Sequence, residues 1–345
     1  MKEIAVLNYS GGTSRILHVS RDELLPSEAA LSVFDGNTAQ LFADRDPERS
    51  LALPPGESAK TWASVERIIN RALAVSMGRD GLIAGIGGGV VTDVTAFAAS
   101  IYMRGCRLIL VPTTLLSMVD AATGGKSGFD FGGVKNLVGS FYPAEEVRIC
   151  PCMLESLPER EYLSGMAEVL KHAMLTPGPG TGGLLDIVAN ERDAILARDA
   201  QTLERLIPAA VKVKIDIVSD DLREQGKRAF LNLGHTFGHA LEAATNFSRW
   251  SHGEAVAWGI LRSLALGERI GLTDKDWAYE TRRLIADYGF DIVTPQVAPG
   301  EIKAAMVDDK KKKDGRLRFV LMKGPGEPVL QEIPEPDLDA VLGIE

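Results

Sequence analysis

Three of the chain's five histidines lie in one short stretch, at positions 235, 239 and 252. His235 and His239 are four residues apart, which places both on one face of a helix, and His252 begins the next predicted helix. Imidazole nitrogens are favoured ligands of Zn²⁺, and a carboxylate often joins them at a catalytic site; Glu168 is the candidate. Spacing alone favours His235 and His239 as the ligand pair. The alternative is structural, with two hydrogen-bonded helix histidines and a third that caps a helix.

A glycine-rich loop joins a predicted strand to a predicted helix, with the sequence Gly85-Ile-Gly-Gly-Gly-Val-Val-Thr-Asp93. Glycines allow backbone N–H groups to approach a pyrophosphate, and the N-terminus of the helix adds a positive end. The simple dinucleotide fingerprint is absent because Val90 stands where its last glycine would be. A tight turn packed against a sheet explains these glycines equally well, so both interpretations stay open on this evidence.

Lysines next to glycines could bind an anionic group of a ligand. Lys126 follows two glycines, and Lys135-Asn136 lies in the same stretch, residues 115–141, which we expect to be a glycine-rich loop. A lysine there can reach a phosphate as a point charge, although a solvated loop is the plainer interpretation. The run 310–313 is typical of a solvated face but could also receive an anionic substrate. Asp120 ends an apolar run and would cap a helix or accept a hydrogen bond in a site.

The elements that must position these groups change in character near residue 157. Before that point, a strand, a glycine loop, a helix and a second strand follow one another, which is a βαβ unit and predicts a parallel sheet. The predicted strands are 3–8, 14–20, 82–86 and 107–111, and the predicted helices are 64–77 and 91–102.

After residue 157 helical periodicity dominates until a strand at 318–322. The predicted helices are 164–175, 186–198, 201–219, 230–245, 254–270 and 276–288. We therefore expect an α/β domain over 1–157 with a Rossmann-like parallel sheet, and an all-α domain over 158–345. A cleft between two such domains is the expected ligand site.

Composition excludes several classes of protein. The chain has 345 residues, enough for two domains of about 150 residues each. Its net charge of −9 argues against a nucleic-acid partner, since phosphate binding needs a basic surplus. We find no apolar run of about 18 residues for a membrane span, and no signal-peptide core at the start. The three cysteines are expected to be free thiols in a reducing cytoplasm.

In this order the motifs resemble those of the 3-dehydroquinate synthases, from about residue 53 to residue 325. No single segment is specific, but the combination is. The matching segments are Pro55-Gly-Glu-Ser-Ala-Lys60, Gly87-Gly-Gly-Val-Val-Thr-Asp93, Tyr102-Met-Arg-Gly105, Val111-Pro-Thr-Thr-Leu-Leu116, Val119-Asp120, Gly124-Gly-Lys-Ser127, Lys135-Asn-Leu-Val-Gly139, Ser164-Gly-Met-Ala-Glu-Val-Leu-Lys171, Leu231-Asn-Leu-Gly-His-Thr-Phe-Gly-His239, His252-Gly-Glu254 and Asp309-Lys-Lys311. The sequence departs from the family pattern at Thr92, Ala96 and Val134, where the family usually has glycine.

The resemblance implies an NAD-binding α/β domain, a helical metal-binding domain and a role for each matched residue. Zn²⁺, with Co²⁺ as a substitute for the same ligands, would be held by Glu168, His235 and His252, so His239 would face the substrate instead. The implied cofactor positions are Glu57, Lys60, Gly88, Gly89, Asp93, Thr113, Thr114 and Lys135. The implied catalytic residues are Asp120, Lys126, Asn232 and His239, and the implied substrate-binding residues are Arg104, Asn136, Lys171, Lys214, Arg228 and Lys311. Arg104 matches an arginine that reaches the neighbouring subunit, which implies a homodimer.

The implied activity is conversion of 3-deoxy-D-arabino-heptulosonate 7-phosphate to 3-dehydroquinate and phosphate, with transient oxidation by NAD⁺. Alternatives with the same fold are a sedoheptulose 7-phosphate cyclase, an aminodehydroquinate synthase and a 2-deoxy-scyllo-inosose synthase. A metal- and NAD-dependent polyol dehydrogenase and a catalytically inactive homologue are further alternatives. Lys214, Arg228 and Asn232 match the substrate positions of the 3-dehydroquinate synthases. The intact ligand set Glu168, His235 and His252 argues against an inactive homologue.

Overall fold

The N-terminal part of the chain forms a seven-stranded sheet in a computed structural model that describes residues 1–42, 46–247, 249–290, 297–312 and 317–344, with the backbone alone at 41–42 and 307–312. The strands of the described chain are β1 Lys2–Tyr9, β2 Gly12–His18, β3 Leu31–Asp35, β4 Ser50–Leu53, β5 Leu82–Gly87, β6 Arg107–Pro112, β7 Lys126–Phe131, β8 Val134–Phe141, β9 Glu146–Ile149, β10 Arg318–Met322 and β11 Pro328–Glu332. The large sheet has the order β1-β2-β9-β6-β5-β3-β4, and β7 with β8 and β10 with β11 form two small sheets.

The large sheet is parallel apart from its first pair, β1 and β2, as the βαβ pattern predicts. Strand β5 is buried along its whole length, which explains why its sequence is a continuous apolar run rather than an alternating one. The predicted strands 82–86 and 107–111 are confirmed within β5 and β6. The glycine loop therefore begins at the carboxyl end of a central strand.

Two helices pack against the large sheet, and helices make up most of the later part of the described chain. The helices are α1 Trp62–Ala74, α2 Gly89–Ile101, α3 Glu159–Met174, α4 Leu184–Asn190, α5 Arg192–Leu196, α6 Ala200–Asp220, α7 His235–Ala244, α8 His252–Arg269, α9 Lys275–Asp287, α10 Pro299–Lys312 and α11 Glu335–Leu342. The predicted single helix over 186–198 is wrong, because the chain breaks at Glu191 between α4 and α5. The predicted helix over 230–245 is also divided, because Gly234 is left-handed with φ 79° and α7 begins only after it.

The expected glycine-rich loop over 115–141 is wrong for most of its length, because β7 and β8 form an antiparallel hairpin there. The hairpin turns at Gly132 and Gly133, both with positive φ, and such a pair suits a two-residue hairpin turn. Lys126 and Asn136 are thus placed on strands, where their side chains have defined directions.

The described chain divides into two compact units. The first contains Met1–Leu157 and Lys214–Arg223, and the second contains Pro158–Val213 and Glu224–Glu345. Residues 214–223 thus group with the first unit, although the sequence pattern assigns them to the helical domain. No helix among the described residues combines the length and apolar character needed to cross a membrane.

The second unit has a core of aromatic and aliphatic side chains from α7, α8 and β10. Phe237 packs against Phe319 and Trp258, with ring centroids 5.0 and 6.2 Å apart. Because α7 and α8 share this core, their first residues are held near one another.

The cysteines differ from expectation. Cys150 and Cys152 are joined in a disulfide across Pro151, so the prediction of free thiols is wrong for this pair. Cys106 is buried and outside the disulfide.

Candidate metal and dinucleotide sites

A carboxylate and two imidazoles converge inside the second unit. Glu168 lies on α3, His235 is the first residue of α7 and His252 is the first residue of α8. The Nε2 atoms of His235 and His252 lie 3.6 and 3.5 Å from Glu168 Oε1. In a tetrahedral Zn²⁺ site, with ligand bonds of about 2.0–2.2 Å, two ligand atoms are about 3.4 Å apart. The spacing and the chemistry of the three donors therefore fit Zn²⁺.

Close backbone packing brings His252 to Glu168. Gly253 follows His252, and a Cβ at Gly253 would lie 2.3 Å from the carbonyl oxygen of Ser164, one turn before Glu168 on α3. Its N–H also donates to Ser164 Oγ over 3.0 Å. Ser251 caps the N-terminus of α8 in a reciprocal capping box with Glu254, which fixes where the first turn starts. Only glycine at 253 permits this approach of α8 to α3.

The buried charges of the cluster shift the pKa values of His235 and His252 in opposite directions. Glu168 is fully buried and forms an ion pair with Lys171, which is also buried. Burial and the charge of Lys171 lower the pKa of His235 well below its usual value, so this imidazole is neutral at pH 7. Burial also lowers the pKa of His252, but Glu168 and Glu242 outweigh that effect and raise it to about 9. The neutral His235 is the form that binds a metal ion, whereas His252 releases a proton when it binds one.

His239 lies one turn along α7 from His235 and is exposed at the side of the cluster. Its ring centroid is 5.2 Å from that of His235 and 6.0 Å from that of His252. Atoms of His239, Glu242 and His252 also come within 4.8 Å of one another. Among the described residues, His252 thus belongs to two candidate metal-binding groups, one with Glu168 and His235 and the other with Glu242 and His239. Neither group contains the pair His235 and His239 that spacing alone favours.

Other implied site residues in the second unit lie close in sequence to these ligands. Arg228 and Asn232 are on a 3₁₀ turn, Lys227–Asn232, that precedes α7, and Arg228 is almost completely buried. Asn232 Nδ2 donates to Glu224 Oε1 over 2.6 Å. The implied position Lys311 lies outside the residues whose side chains the structure describes.

The first unit contains the glycine loop between β5 and α2. A Cβ at Gly87 would meet Val91 Cγ2 at 2.6 Å, and one at Gly88 would meet Thr114 Cγ2 at 3.2 Å. The N–H of Thr113 donates to the carbonyl of Gly87 over 3.0 Å, which ties the end of β6 to the loop. Gly89 opens α2, so a strand end, bare backbone and a helix N-terminus meet where parallel α/β folds bind a pyrophosphate.

The departures from the family pattern at Thr92 and Ala96 are accommodated within α2. Both side chains are buried, and Thr92 Oγ1 donates to the carbonyl of Gly89 over 3.0 Å. Neither residue leaves an unsatisfied polar group at the loop.

Charged residues lie beside the glycine loop. Lys60 Nζ donates to Asp93 Oδ2 over 2.6 Å, and Lys135 Nζ is 3.7 Å from Glu57 Oε1. Burial lowers the pKa of Lys60, but Asp93 and Glu57 outweigh it and raise the pKa, so the ammonium stays charged. Four of the implied cofactor residues thus form two ion pairs in this unit.

Asp120 and Lys214 form a third pair in the first unit. Asp120 lies in a π-helical turn, Ser117–Ala121, a type of turn frequent at functional sites. Lys214 Nζ donates to both Asp120 Oδ1 and the Asp120 carbonyl over 2.5 Å. These two hydrogen bonds fix the position of the Lys214 ammonium beside the Asp120 carboxylate.

Two implied residues, Lys126 and Asn136, lie on the β7–β8 hairpin, and a third, Arg104, lies in the turn that follows α2. Lys126 begins β7 and is exposed, whereas Asn136 lies on β8 with a left-handed φ of 53°. The N–H of Asn136 donates to Asp130 Oδ1 over 2.8 Å. Arg104 is exposed and also left-handed, with φ 66°.

Sequence reasoning missed Asp130 and Glu242, which contact implied site residues. Glu242 is seven residues after His235, so helical periodicity alone could have placed both on one face of α7. Asp130 could have been found only after the hairpin was recognised from its Gly-Gly turn.

Comparisons with known proteins connect both units to one family. Sequence profiles described as 3-dehydroquinate synthase N-terminal and C-terminal match residues 50–164 and 165–312. The 3-dehydroquinate synthase of Acidithiobacillus ferrooxidans is 39% identical over 312 residues, covering 88% of this chain and 85% of the relative.

Two solved structures share the fold. A 2-deoxy-scyllo-inosose synthase complexed with carbaglucose-6-phosphate, NAD⁺ and Co²⁺ superimposes with a TM-score of 0.86 at 23% identity, covering 98% of each chain. A 2-epi-5-epi-valiolone synthase from Streptomyces hygroscopicus, with NAD⁺ and Zn²⁺ bound, has a TM-score of 0.85 at 25% identity, covering 95% of each chain.

Proposed function

Because the chain belongs to the 3-dehydroquinate synthase family, we propose that it converts 3-deoxy-D-arabino-heptulosonate 7-phosphate to 3-dehydroquinate and phosphate. The observation that carries the proposal is the family match across both units, at residues 50–164 and 165–312. The reaction oxidises a substrate hydroxyl, eliminates phosphate, reduces the ketone again and closes a carbocycle by an aldol step. Hydride leaves and returns, so the reaction has no net oxidation.

We propose NAD⁺ and Zn²⁺ as the cofactors, with Co²⁺ as a substitute. When bound, the metal polarises the hydroxyl that is oxidised, and NAD⁺ accepts and returns its hydride. Glu168, His235 and His252 hold the metal; their donor types and the 3.5 and 3.6 Å separations support this assignment. The cofactor is held at the glycine loop by Glu57, Lys60, Gly88, Gly89, Asp93, Thr113, Thr114 and Lys135.

The substrate carries a carboxylate and a phosphate, and the chain's cationic residues bind both. Lys214 pairs with Asp120, Lys171 pairs with Glu168, and Arg228 is almost completely buried. The proposed binding residues are Arg104, Asn136, Lys171, Lys214, Arg228 and Lys311. Fixed cations of this kind stabilise negative charge on phosphate as its bond to carbon breaks.

His239 and Asn232 are proposed to assist the proton transfers, His239 as the group that carries the proton and Asn232 through hydrogen bonds, with Asp120 and Lys126 completing the catalytic set. His239 is exposed beside the metal cluster, so a ligand can reach its ring. An imidazole can act as a general acid or a general base. Asn232 can donate and accept hydrogen bonds without changing charge.

We also propose that the enzyme is a homodimer in which Arg104 completes the partner's site. Large apolar side chains are exposed around Arg104: Met103 is 51% exposed and Ile101 39%. Phe141, 42% exposed, follows Ser140, whose hydroxyl donates to Ser100 beside Ile101. A cluster of exposed apolar side chains is typical of an interaction surface. We propose a cytoplasmic location, since NAD⁺ and phosphorylated sugars are compounds of the cell interior.

The test is to supply the purified protein, Zn²⁺ and NAD⁺ with 3-deoxy-D-arabino-heptulosonate 7-phosphate. Phosphate release without accumulation of NADH, abolished by a chelator, is the expected result. Sedoheptulose 7-phosphate is assayed in parallel, because release from that compound alone would assign a different cyclase activity. Stoichiometric NADH with a polyol would instead assign a dehydrogenase.

A further inference from the structure

Glu242, a buried glutamate outside the implied ligand set, contacts the implied ligand His252. Glu242, on α7, is 2% exposed, and its Oε2 lies 3.4 Å from His252 Nδ1. The other ring nitrogen of His252, Nε2, faces Glu168 Oε1 at 3.5 Å. The imidazole of His252 therefore lies between two carboxylates, one at each nitrogen.

His235 has the same arrangement with a different acceptor. Its Nδ1 lies 3.2 Å from the carbonyl oxygen of Leu233, and its Nε2 faces Glu168 Oε1 at 3.6 Å. In a neutral imidazole one nitrogen carries the proton and the other has a free lone pair. A histidine that binds a metal does so as the neutral imidazole. An acceptor at Nδ1 keeps the remaining proton there, so in the metal-bound form both rings direct the lone pair of Nε2 toward Glu168.

The position of Glu242 in its helix indicates that it has a specific role. Helix α7 ends at Ala244, and a carboxylate in the last turn is disfavoured by the negative end of the helix dipole. Burial of the carboxylate adds a further cost unless the group is hydrogen-bonded. Contact with the His252 ring offsets both costs.

We propose that Glu242 is a positioning residue for the metal centre. It holds His252 with its proton on Nδ1 and its Nε2 lone pair toward the metal, and does not itself ligate the ion. The inference rests on the proposed metal site. Carboxylates in this position orient a histidine ligand and raise its basicity, and their removal weakens metal binding by about 10–100-fold.

The experiment measures Zn²⁺ affinity by competition with a chromogenic chelator and records the visible spectrum of the Co²⁺-loaded protein. Glu242→Ala should weaken Zn²⁺ binding by about 10–100-fold and alter the Co²⁺ spectrum. Glu242→Gln retains an oxygen that can accept from Nδ1, so most of the affinity should return. This second variant also supports the test if the alanine variant folds poorly.

The matched control is Glu268→Gln on α8, where the carboxylate pairs with Arg282. Its Zn²⁺ affinity should equal that of the wild type. The proposal is overturned if Glu242→Ala binds Zn²⁺ as tightly as wild type. It is also overturned if Glu242→Ala and Glu242→Gln both abolish binding while His235→Ala retains it, since Glu242 would then be a ligand. Because no reading depends on turnover, a wild-type protein that binds Zn²⁺ but fails the substrate assay contradicts the proposed function alone.

Discussion

Lys60 donates a hydrogen bond of 2.6 Å to Asp93, and both side chains lie largely out of solvent, with 7% and 17% exposure. The pair joins the turn before α1 to the second turn of α2, directly behind the glycine loop. Asp93→Asn leaves the Lys60 ammonium buried beside a neutral amide. Removing one partner of a buried pair costs about 3–5 kcal/mol, and the partial exposure of Asp93 places the expected loss near the lower value. Urea unfolding should show that loss, with weaker NAD⁺ binding.

The exposed pair Arg107 and Glu145 in the same unit provides the control. Its members are 46% and 45% exposed, so Glu145→Gln should lower the free energy of unfolding by less than about 1 kcal/mol. Equal losses in the two variants would show that the Lys60–Asp93 pair has no special contribution.

The sequence predicts the parts of this fold that depend on local order. Residues 82–111 could be interpreted as strand, glycine loop, helix and strand because apolar periodicity and glycine position are properties of neighbouring residues. The hairpin of β7 and β8 was missed because its many glycines are also typical of a loop. The helix break at Gly234 depends on a left-handed φ, which composition does not specify.

The candidate site shows the same division. Histidine spacing points to the stretch that contains two members of the candidate metal cluster but favours His235 with His239, since spacing along one helix contains no information about α3 or α8. The approach of His252 to Glu168 depends on a close backbone contact at Gly253, which is tertiary. Family resemblance implied Glu168, His235 and His252. Helical periodicity places Glu242 on the same face of α7 as His235, but its contact with His252 on α8 is tertiary and is not contained in that spacing.

The assignment of metal ligands predicts opposite outcomes for two histidines on α7. His235→Ala should lose most of the bound zinc, because it removes one of three donors. His239→Ala should retain about one zinc ion per chain and lose turnover by about 10²–10⁴-fold, as expected for loss of a proton-transfer group. Zinc is measured by elemental analysis after gel filtration. Retention of zinc by His235→Ala with its loss from His239→Ala would reverse the two assignments.

Asp130 is predicted to hold Asn136 in its left-handed conformation. Its carboxylate accepts the N–H of Asn136, while its own N–H donates to the carbonyl of Lys60 over 2.9 Å. Asp130→Ala should raise the KM for substrate about fivefold but cost no more than about 1 kcal/mol of stability, because the hydrogen bond that is lost is exposed. Asp130→Asn retains an acceptor and should be close to wild type. A KM unchanged in Asp130→Ala would contradict this role.

The cysteine arrangement predicts a specific count of reactive thiols. In protein purified without reductant and then denatured, an alkylating reagent should modify Cys106 alone, and after reduction it should modify all three cysteines. In the native protein Cys106 should react slowly at pH 8, because burial raises its pKa to about 11. Mass spectrometry gives the count, and Cys106→Ser is the control. Alkylation of three cysteines without reductant would contradict the disulfide.

The proposed role of Arg104 across a dimer predicts that two inactive variants restore each other. In a mixed dimer of Arg104→Ala and His235→Ala chains, the first chain retains its metal ligands and receives Arg104 from the second. Random exchange at equal concentrations makes half of the dimers mixed, each with one complete site, so about a quarter of wild-type activity should return. The control mixture pairs Arg104→Ala with the double variant Arg104→Ala, His235→Ala, in which no dimer contains a complete site. Recovery in the first mixture alone supports the shared site. If neither mixture recovers activity although mass spectrometry shows that subunits have exchanged, Arg104 acts only in its own subunit.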